Sequence, residues 1–182
     1  MKERAIFFDR DGTLNVEKNY LHSPSEWEWI PGAVDSLVLA RAKGFRLIVV
    51  TNQSGVQRGY YSEEAVRSLH RWVQEGLQAR GVFVDGFYYC PHGESDGCSC
   101  RKPRPGMLLQ ACQDHHIDPH RSYLIGDRTT DVDAARSAGV RPVLVLTGYG
   151  EHEKERVGAG VPVAADVLSA VRLIIEEKET AP

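Results

Sequence analysis

Ala5-Ile6-Phe7-Phe8-Asp9-Arg10-Asp11-Gly12-Thr13 is the stretch on which the fold turns. Four apolar residues bounded by charge read as a strand buried on both faces, as in a parallel sheet covered by helices. Such a strand delivers the residues after it to the carboxyl edge of the sheet, where open α/β sheets keep their binding crevice. Here those residues are two carboxylates at i and i+2. A calcium loop would need a glycine at its sixth position and a glutamate at its twelfth, but Leu14 and Tyr20 occupy them. A plain turn, with Asp and Gly chosen for backbone reasons, remains an alternative for this segment taken alone.

Three later segments supply company for the two acids. Phe45 to Val50 is a second buried-strand candidate that runs into Thr51-Asn52-Gln53-Ser54-Gly55, where a hydroxyl and backbone N–H groups can hold phosphoryl oxygens. Cys100-Arg101-Lys102-Pro103-Arg104-Pro105-Gly106 places three cations just ahead of a helix, whose N-terminus itself favours anions. Ser122-Tyr123-Leu124-Ile125-Gly126 empties into Asp127-Arg128-Thr129-Thr130-Asp131, another strand followed by a carboxylate pair.

The alternation continues along the chain. Helices are expected over Gly32–Lys43, Ser62–Arg80, Pro105–His115, Thr130–Ala138 and Asp166–Glu177, with strands near Val84–Tyr89, Ser122–Ile125 and Pro142–Leu146. Ser62 is placed to cap its helix, whose buried stripe is Val66, Leu69, Val73 and Leu77. Strands and helices in this order predict an α/β, doubly wound parallel sheet. Its 182 residues, 42% hydrophobic and 26% charged, fit a single domain spanning 1–182. The intervals Asp11 to Thr51 and Thr51 to Lys102 leave no room for an inserted lid domain, so the site is expected to be open.

A net charge of −3 and a pI near 6.2 argue against nucleic acid or an anionic membrane as partner. Only four apolar residues follow Met1-Lys2-Glu3-Arg4, too few for a signal-peptide core, and no run reaches the roughly 20 needed to cross a bilayer. The expectation is a cytoplasmic monomer acting on a small molecule.

Cys90, His92, Cys98 and Cys100 lie within eleven residues, and soft ligands spaced C-x-H and C-x-C suit a tetrahedral structural zinc site. A disulfide is the alternative, although it leaves one thiol over. The loop ends beside Arg101 and Lys102, so tying it down would hold both cations in place. Cys112 reads as a small core residue. His22, His70, His115, His116, His120 and His152 have no nucleophile beside them, and Trp27 and Trp29 are expected to pack rather than stack on a ligand.

Taken together and in order, D-x-D-G-T at Asp9–Thr13, Thr51 at a strand end, Lys102, and G-D-x-x-x-D at Gly126–Asp131 resemble the four motifs of the haloacid dehalogenase-like phosphatases. The resemblance runs from Ala5 to about Gly150. It implies a Rossmann-like fold, capless here, and a Mg²⁺-dependent phosphomonoesterase with Asp9 as nucleophile. Mg²⁺ would be held by the Asp9 carboxylate, the Asp11 carbonyl and Asp127. Asp11 would be the general acid and then base, Thr51, Asn52 and Lys102 would hold the phosphoryl group, and Thr13 and Asp131 would support the site. Aspartate has an ordinary pKa of about 3.9, so a site using Asp11 as general acid must raise that value, as anionic neighbours could, or tolerate the penalty.

Contacts to a phosphosugar are expected from Arg10, Glu17, Lys18, Asn19, Tyr20, Gln53, Ser54, Arg101 and Arg128. Within the superfamily, Thr51 to Gly59 and Arg101 to Met107 look like the heptose bisphosphate phosphatases. The five residues between His92 and Cys98 instead match the histidinol phosphate type in length. The heptose branch is the favoured reading. A zinc-stapled module that binds phosphate ligands without turnover, and a phosphotransferase that passes the phosphoryl group to a sugar hydroxyl, are the competing classes.

Overall fold

The structure, a computed structural model, describes residues 2–179. Six strands form one parallel sheet: β1 (Ala5–Phe8), β2 (Arg46–Asn52), β3 (Gly86–Cys90), β4 (Tyr123–Gly126), β5 (Arg141–Val145) and β6 (Val163–Ala164). Their order is β3-β2-β1-β4-β5-β6. The chain therefore winds outward from β1 in one direction and resumes at β4 on the other side, which makes the carboxyl ends of β1 and β4 the switch point where such sheets bind ligands.

Six helices cover the sheet: α1 (Ala33–Ala42), α2 (Glu63–Gln78), α3 (Gly106–Asp114), α4 (Thr129–Ala138), α5 (Gly150–Glu153) and α6 (Val167–Glu179). Successive strand side chains point to opposite faces, and the core divides accordingly. Ile6, Phe8, Leu47 and Val49 pack with Leu37 of α1, Leu69 and Val73 of α2 and Val171 of α6. Phe7, Ile48, Val50 and Leu124 pack with Leu108 of α3 and Ala135 of α4 on the other side. Burial of each large apolar side chain contributes about 1.5–3 kcal/mol, so β1 and β4, buried at every position, form a rigid platform.

The α2 stripe is buried as expected, and the Ser62 hydroxyl accepts from the Ala65 N–H at 3.2 Å. Differences from the sequence reading have local causes. β2 runs on to Asn52 because Thr51 and Asn52 find partners in Tyr89 and Cys90. β3 starts only at Gly86, since the Asp85 side chain leaves the strand to accept from the Leu47 N–H at 2.7 Å and from Arg41 and Arg46. β6 and α5, two and four residues long, are too short to imprint a periodicity. Among the described residues the Asp11–Thr51 interval holds a short 3-10 turn and α1 between its strands, and no helix is long and apolar enough to cross a membrane. Trp27 and Trp29 pack against the core, edge to face at 5.0 Å.

Candidate active site

Three strand ends, one helix and one loop converge on a buried charge cluster. Asp9 follows β1, Thr51 belongs to the end of β2, Asp127 follows β4, and Asp131 sits in the first turn of α4. From the loop before α3, the Lys102 ammonium donates to Asp9 Oδ1 at 2.6 Å and to the Val50 carbonyl at 3.0 Å, and lies 2.6 Å from Asp131 Oδ1. The Asn52 amide fixes the backbone that presents this lysine, accepting from the Lys102 N–H and donating to the Lys102 carbonyl, each at 3.1 Å.

The cluster is short of positive charge. Asp9, Asp127 and Asp131 are all buried, with oxygens within 4.8 Å of one another, and one lysine faces them. Burial raises the Asp9 pKa, with Asp131 and Asp11 adding to the rise and Lys102 opposing it. Burial, then the charges of Asp9 and Asp131, push Asp127 up to about 8. Burial alone would lower the Lys102 pKa, but Asp131 and Asp9 outweigh it and hold the lysine firmly charged.

An oxygen-only donor set with excess negative charge suits a hard divalent cation such as Mg²⁺, and the surroundings of Asp127 agree. Its Oδ2 accepts from the Tyr149 N–H at 2.8 Å, while its Oδ1 is buried without a partner. A Cβ at Gly12 or Gly148 would fall 2.3 or 2.1 Å from Asp127 Oδ2, so only glycine lets both backbones close on that carboxylate. Asp131 joins Asp9 and Asp127 as the third carboxylate of this group.

Asp11 is held differently. Its carboxylate accepts from Arg10 Nε at 3.1 Å and Nη2 at 3.0 Å, from Asn15 Nδ2 at 2.9 Å and from Gln53 Nε2 at 3.0 Å. Burial raises its pKa, but the Arg10 guanidinium and these hydrogen bonds prevail and hold it below the usual carboxylate value. Of the two alternatives left by the sequence, the free protein does not raise the Asp11 pKa, because a guanidinium lies against it.

Above the cluster opens a cavity of about 650 Å³, lined on its rim by Glu17, Asn19, Tyr20, Ser54, Arg101 and Arg128. Two residues expected at the substrate, Arg10 and Lys18, do not line the cavity. Arg10 is 1% exposed and spent on Asp11, the Leu21 carbonyl and His70. Gln53, 2% exposed, borders the cavity and also bonds Asp11 and Thr51. Lys18 pairs with Glu28 at 2.9 Å and does not line the cavity. Thr13 is buried, with a hydroxyl that has no partner.

Sequence reasoning missed Arg58, which stands over the Tyr20 ring at 5.9 Å, and Tyr149, on which the Arg128 guanidinium stacks at 3.7 Å. Tyr149 follows the end of β5, and the rule that strand ends feed the site could have marked it.

Beside Lys102, the four soft ligands come together. Cys90 Sγ lies 3.6 Å from Cys98 Sγ, 3.1 Å from Cys100 Sγ and 3.5 Å from His92 Nδ1, and His92 Nδ1 lies 3.3 Å from Cys100 Sγ. No disulfide joins them. Bonds of about 2.0–2.3 Å to a central zinc imply separations of this order between ligand atoms, so the cluster is compatible with zinc.

The chain is 46% identical over 153 residues to the D-glycero-β-D-manno-heptose-1,7-bisphosphate 7-phosphatase of Pasteurella multocida, covering 80% of this chain and 83% of that protein. With the enzyme of that name from Haemophilus influenzae, identity is 42% over 175 residues and 92% of each chain. The chain belongs to this family of phosphatases. A HAD-hydrolase-like family model also matches residues 99–170. D,D-heptose 1,7-bisphosphate phosphatase from B. bronchiseptica, crystallised with magnesium and phosphate, superposes with a TM-score of 0.89 at 32% identity, covering 96% of this chain and 99% of that one. Magnesium in that phosphatase agrees with the donor set around Asp127.

Proposed function

We propose that this chain is a Mg²⁺-dependent phosphomonoesterase that removes the 7-phosphate of D-glycero-D-manno-heptose 1,7-bisphosphate, as the β anomer, on the way to nucleotide-activated heptose for lipopolysaccharide. The observation that carries the reading is Lys102 bridging Asp9 and Asp131 at 2.6 Å beside the partnerless Asp127 Oδ1. A pocket that merely captured phosphate would gain nothing from three buried carboxylates facing an anion. Family membership selects the sugar.

Asp9, the Asp11 carbonyl and Asp127 would hold Mg²⁺, with Asp131 close by; when bound, the cation offsets negative charge on the carboxylates and the phosphoryl oxygens. Asp9 attacks phosphorus as the bond to the sugar oxygen breaks, giving an aspartyl-phosphate. A phosphate seated between Asp9 and Asp11 brings anionic charge against Asp11, which opposes Arg10 and lets Asp11 carry a proton. Asp11 gives that proton to the departing sugar oxygen, then takes one from the water that attacks the aspartyl-phosphate.

Lys102 and Thr51 hold the phosphoryl oxygens, Asp131 orients Lys102, and Arg101 and Arg128 present planar donor forks to the remote 1-phosphate. Zinc on Cys90, His92, Cys98 and Cys100 holds the loop that ends at Lys102. We take the protein to work as a single-domain cytoplasmic monomer without nucleic acid or membrane partners.

The five-residue span between His92 and Cys98 keeps histidinol phosphate as a second candidate. The test is phosphate release with Mg²⁺ from both heptose bisphosphate anomers, histidinol phosphate and common sugar phosphates. Heptose bisphosphate should give the highest kcat/KM. A preference for histidinol phosphate would overturn the choice of sugar, and no release from any substrate would overturn the enzyme reading.

A further inference from the structure

His70 lies on α2, far from every motif that the chemistry uses, yet it is buried and reaches the Arg10 guanidinium, Nε2 to Nη1 3.3 Å. Arginine only donates, so Nε2 must accept and the imidazole proton sits on Nδ1. Burial first, and the Arg10 charge second, hold the ring neutral. The ring stacks on Phe87 at 4.8 Å, which fixes its plane. Arg10 in turn donates to the Leu21 carbonyl at 2.9 Å and grips both oxygens of Asp11.

A second arm reaches Asp11 from the opposite side. The Tyr61 hydroxyl donates to Gln53 Oε1 at 2.7 Å, which leaves Gln53 Nε2 to donate to Asp11 Oδ2 at 3.0 Å and Thr51 Oγ1 at 2.8 Å. The Tyr61 ring occupies the space beside Gly55, where any Cβ would lie 2.3 Å from it. Neither Arg10 nor His70 lines the cavity. Arg10 and His70 are therefore out of reach of substrate, whereas Gln53 and Tyr61 also border the cavity; what both arms share is the direction of one carboxylate.

We infer that His70 through Arg10, and Tyr61 through Gln53, are positioning residues that aim the Asp11 carboxylate at the oxygen of the leaving group. The inference rests on the reading of Asp11 as the acid. In the step concerned, the bond from phosphorus to the sugar oxygen breaks, its electron pair stays on that oxygen, and the Asp11 proton moves to it. An alkoxide leaves poorly and needs the proton, whereas a nitrophenolate leaves without it. Misaiming by about 1 Å can cost on the order of a hundredfold.

The test compares kcat/KM for heptose bisphosphate and for p-nitrophenyl phosphate, because kcat/KM reports the formation of the aspartyl-phosphate and not its later hydrolysis. His70→Phe keeps the stacking but removes the acceptor, and Tyr61→Phe removes only a hydroxyl. Each should lower kcat/KM for the sugar phosphate about ten- to a hundredfold and that for the aryl phosphate less than threefold. His70→Gln, which restores a neutral acceptor, should recover part of the loss. Asp11→Asn should show the same discrimination more strongly.

Equal losses on both substrates, or a change confined to KM, in Tyr61→Phe and His70→Phe would overturn the inference while leaving the phosphatase reading intact. Should His70→Phe fail to fold, Tyr61→Phe decides through kcat, because Tyr61 borders the cavity: a fall in kcat for the sugar phosphate supports positioning, and a rise in KM alone overturns it. Absence of turnover by the wild-type protein would instead overturn the parent reading.

Discussion

Replacing Lys102 by Met tests the charge arrangement most directly. The substitution keeps much of the side-chain volume but leaves Asp9 and Asp131, each 2.6 Å from the ammonium and both buried, without their counter-ion. Breaking a buried ion pair by removing one partner costs about 3–5 kcal/mol. Two acids share this lysine, which favours the upper end, while proton uptake by the abandoned carboxylates relieves part of it. For a chain of this size about 1 kcal/mol corresponds to roughly 2–4 °C, so thermal unfolding in the presence of a chelator should fall by roughly 10 °C.

The loss should grow with pH. Acids whose folded pKa is raised contribute stability that is present at low pH and lost as pH rises through the folded value. The variant should therefore suffer more at pH 8.5 than at pH 6. Turnover with Mg²⁺ should fall at least a hundredfold to a thousandfold, the usual effect of deleting one donor to the transition-state charge. A variant that unfolds within about 2 °C of wild type, a shift worth under about 1 kcal/mol, and keeps turnover within tenfold would refute Lys102 as the counter-ion of the cluster.

Asp9→Asn should abolish turnover and the phosphoryl adduct seen by mass spectrometry after rapid quenching. Chelation should abolish phosphate release and Mg²⁺ should restore it, whereas calcium, which prefers a larger and looser shell, should not. Freshly purified protein should carry near-stoichiometric zinc by metal analysis; Cys98→Ser should lower that content and the unfolding temperature. Asp85 predicts the acid limb of stability. Burial would raise its pKa, but Arg41, the Leu47 N–H and Arg46 hold it below the ordinary value of 3.8. Its contribution is present above 3.8 and lost as pH falls through the folded value, so Asp85→Asn should weaken the fall in stability between about pH 4 and pH 2.

Much of the architecture was legible because the strands that matter are continuous apolar runs ending in unusual polar residues. Ala5–Phe8 reads as buried without any neighbour, and Asp9 must then lie at its end. The glycine before Asp127 and the proline after Lys102 mark their turns in the same local way. What sequence could not reveal are partners distant along the chain. Nothing near Arg10 indicates that His70, sixty residues on, will draw it inward, so a cation beside the nucleophile looked like a substrate contact. Gln53 is likewise brought to Asp11 only by the fold, and the lowering of the Asp11 pKa by Arg10, Asn15 and Gln53 was hidden for the same reason. β6, at two residues, carries too little pattern for any periodicity to register.

Cys90 and His92 stand on one stem of the cysteine-rich loop and Cys98 and Cys100 on the other, where a metal ion would join the two. Between them, Gly93 to Gly97 carries Glu94, which borders the cavity and pairs with Arg101 at 3.6 Å. The rim of the site and the cation beneath it are thus carried by neighbouring segments of one loop, Glu94 at the mouth and Lys102 at the carboxylates.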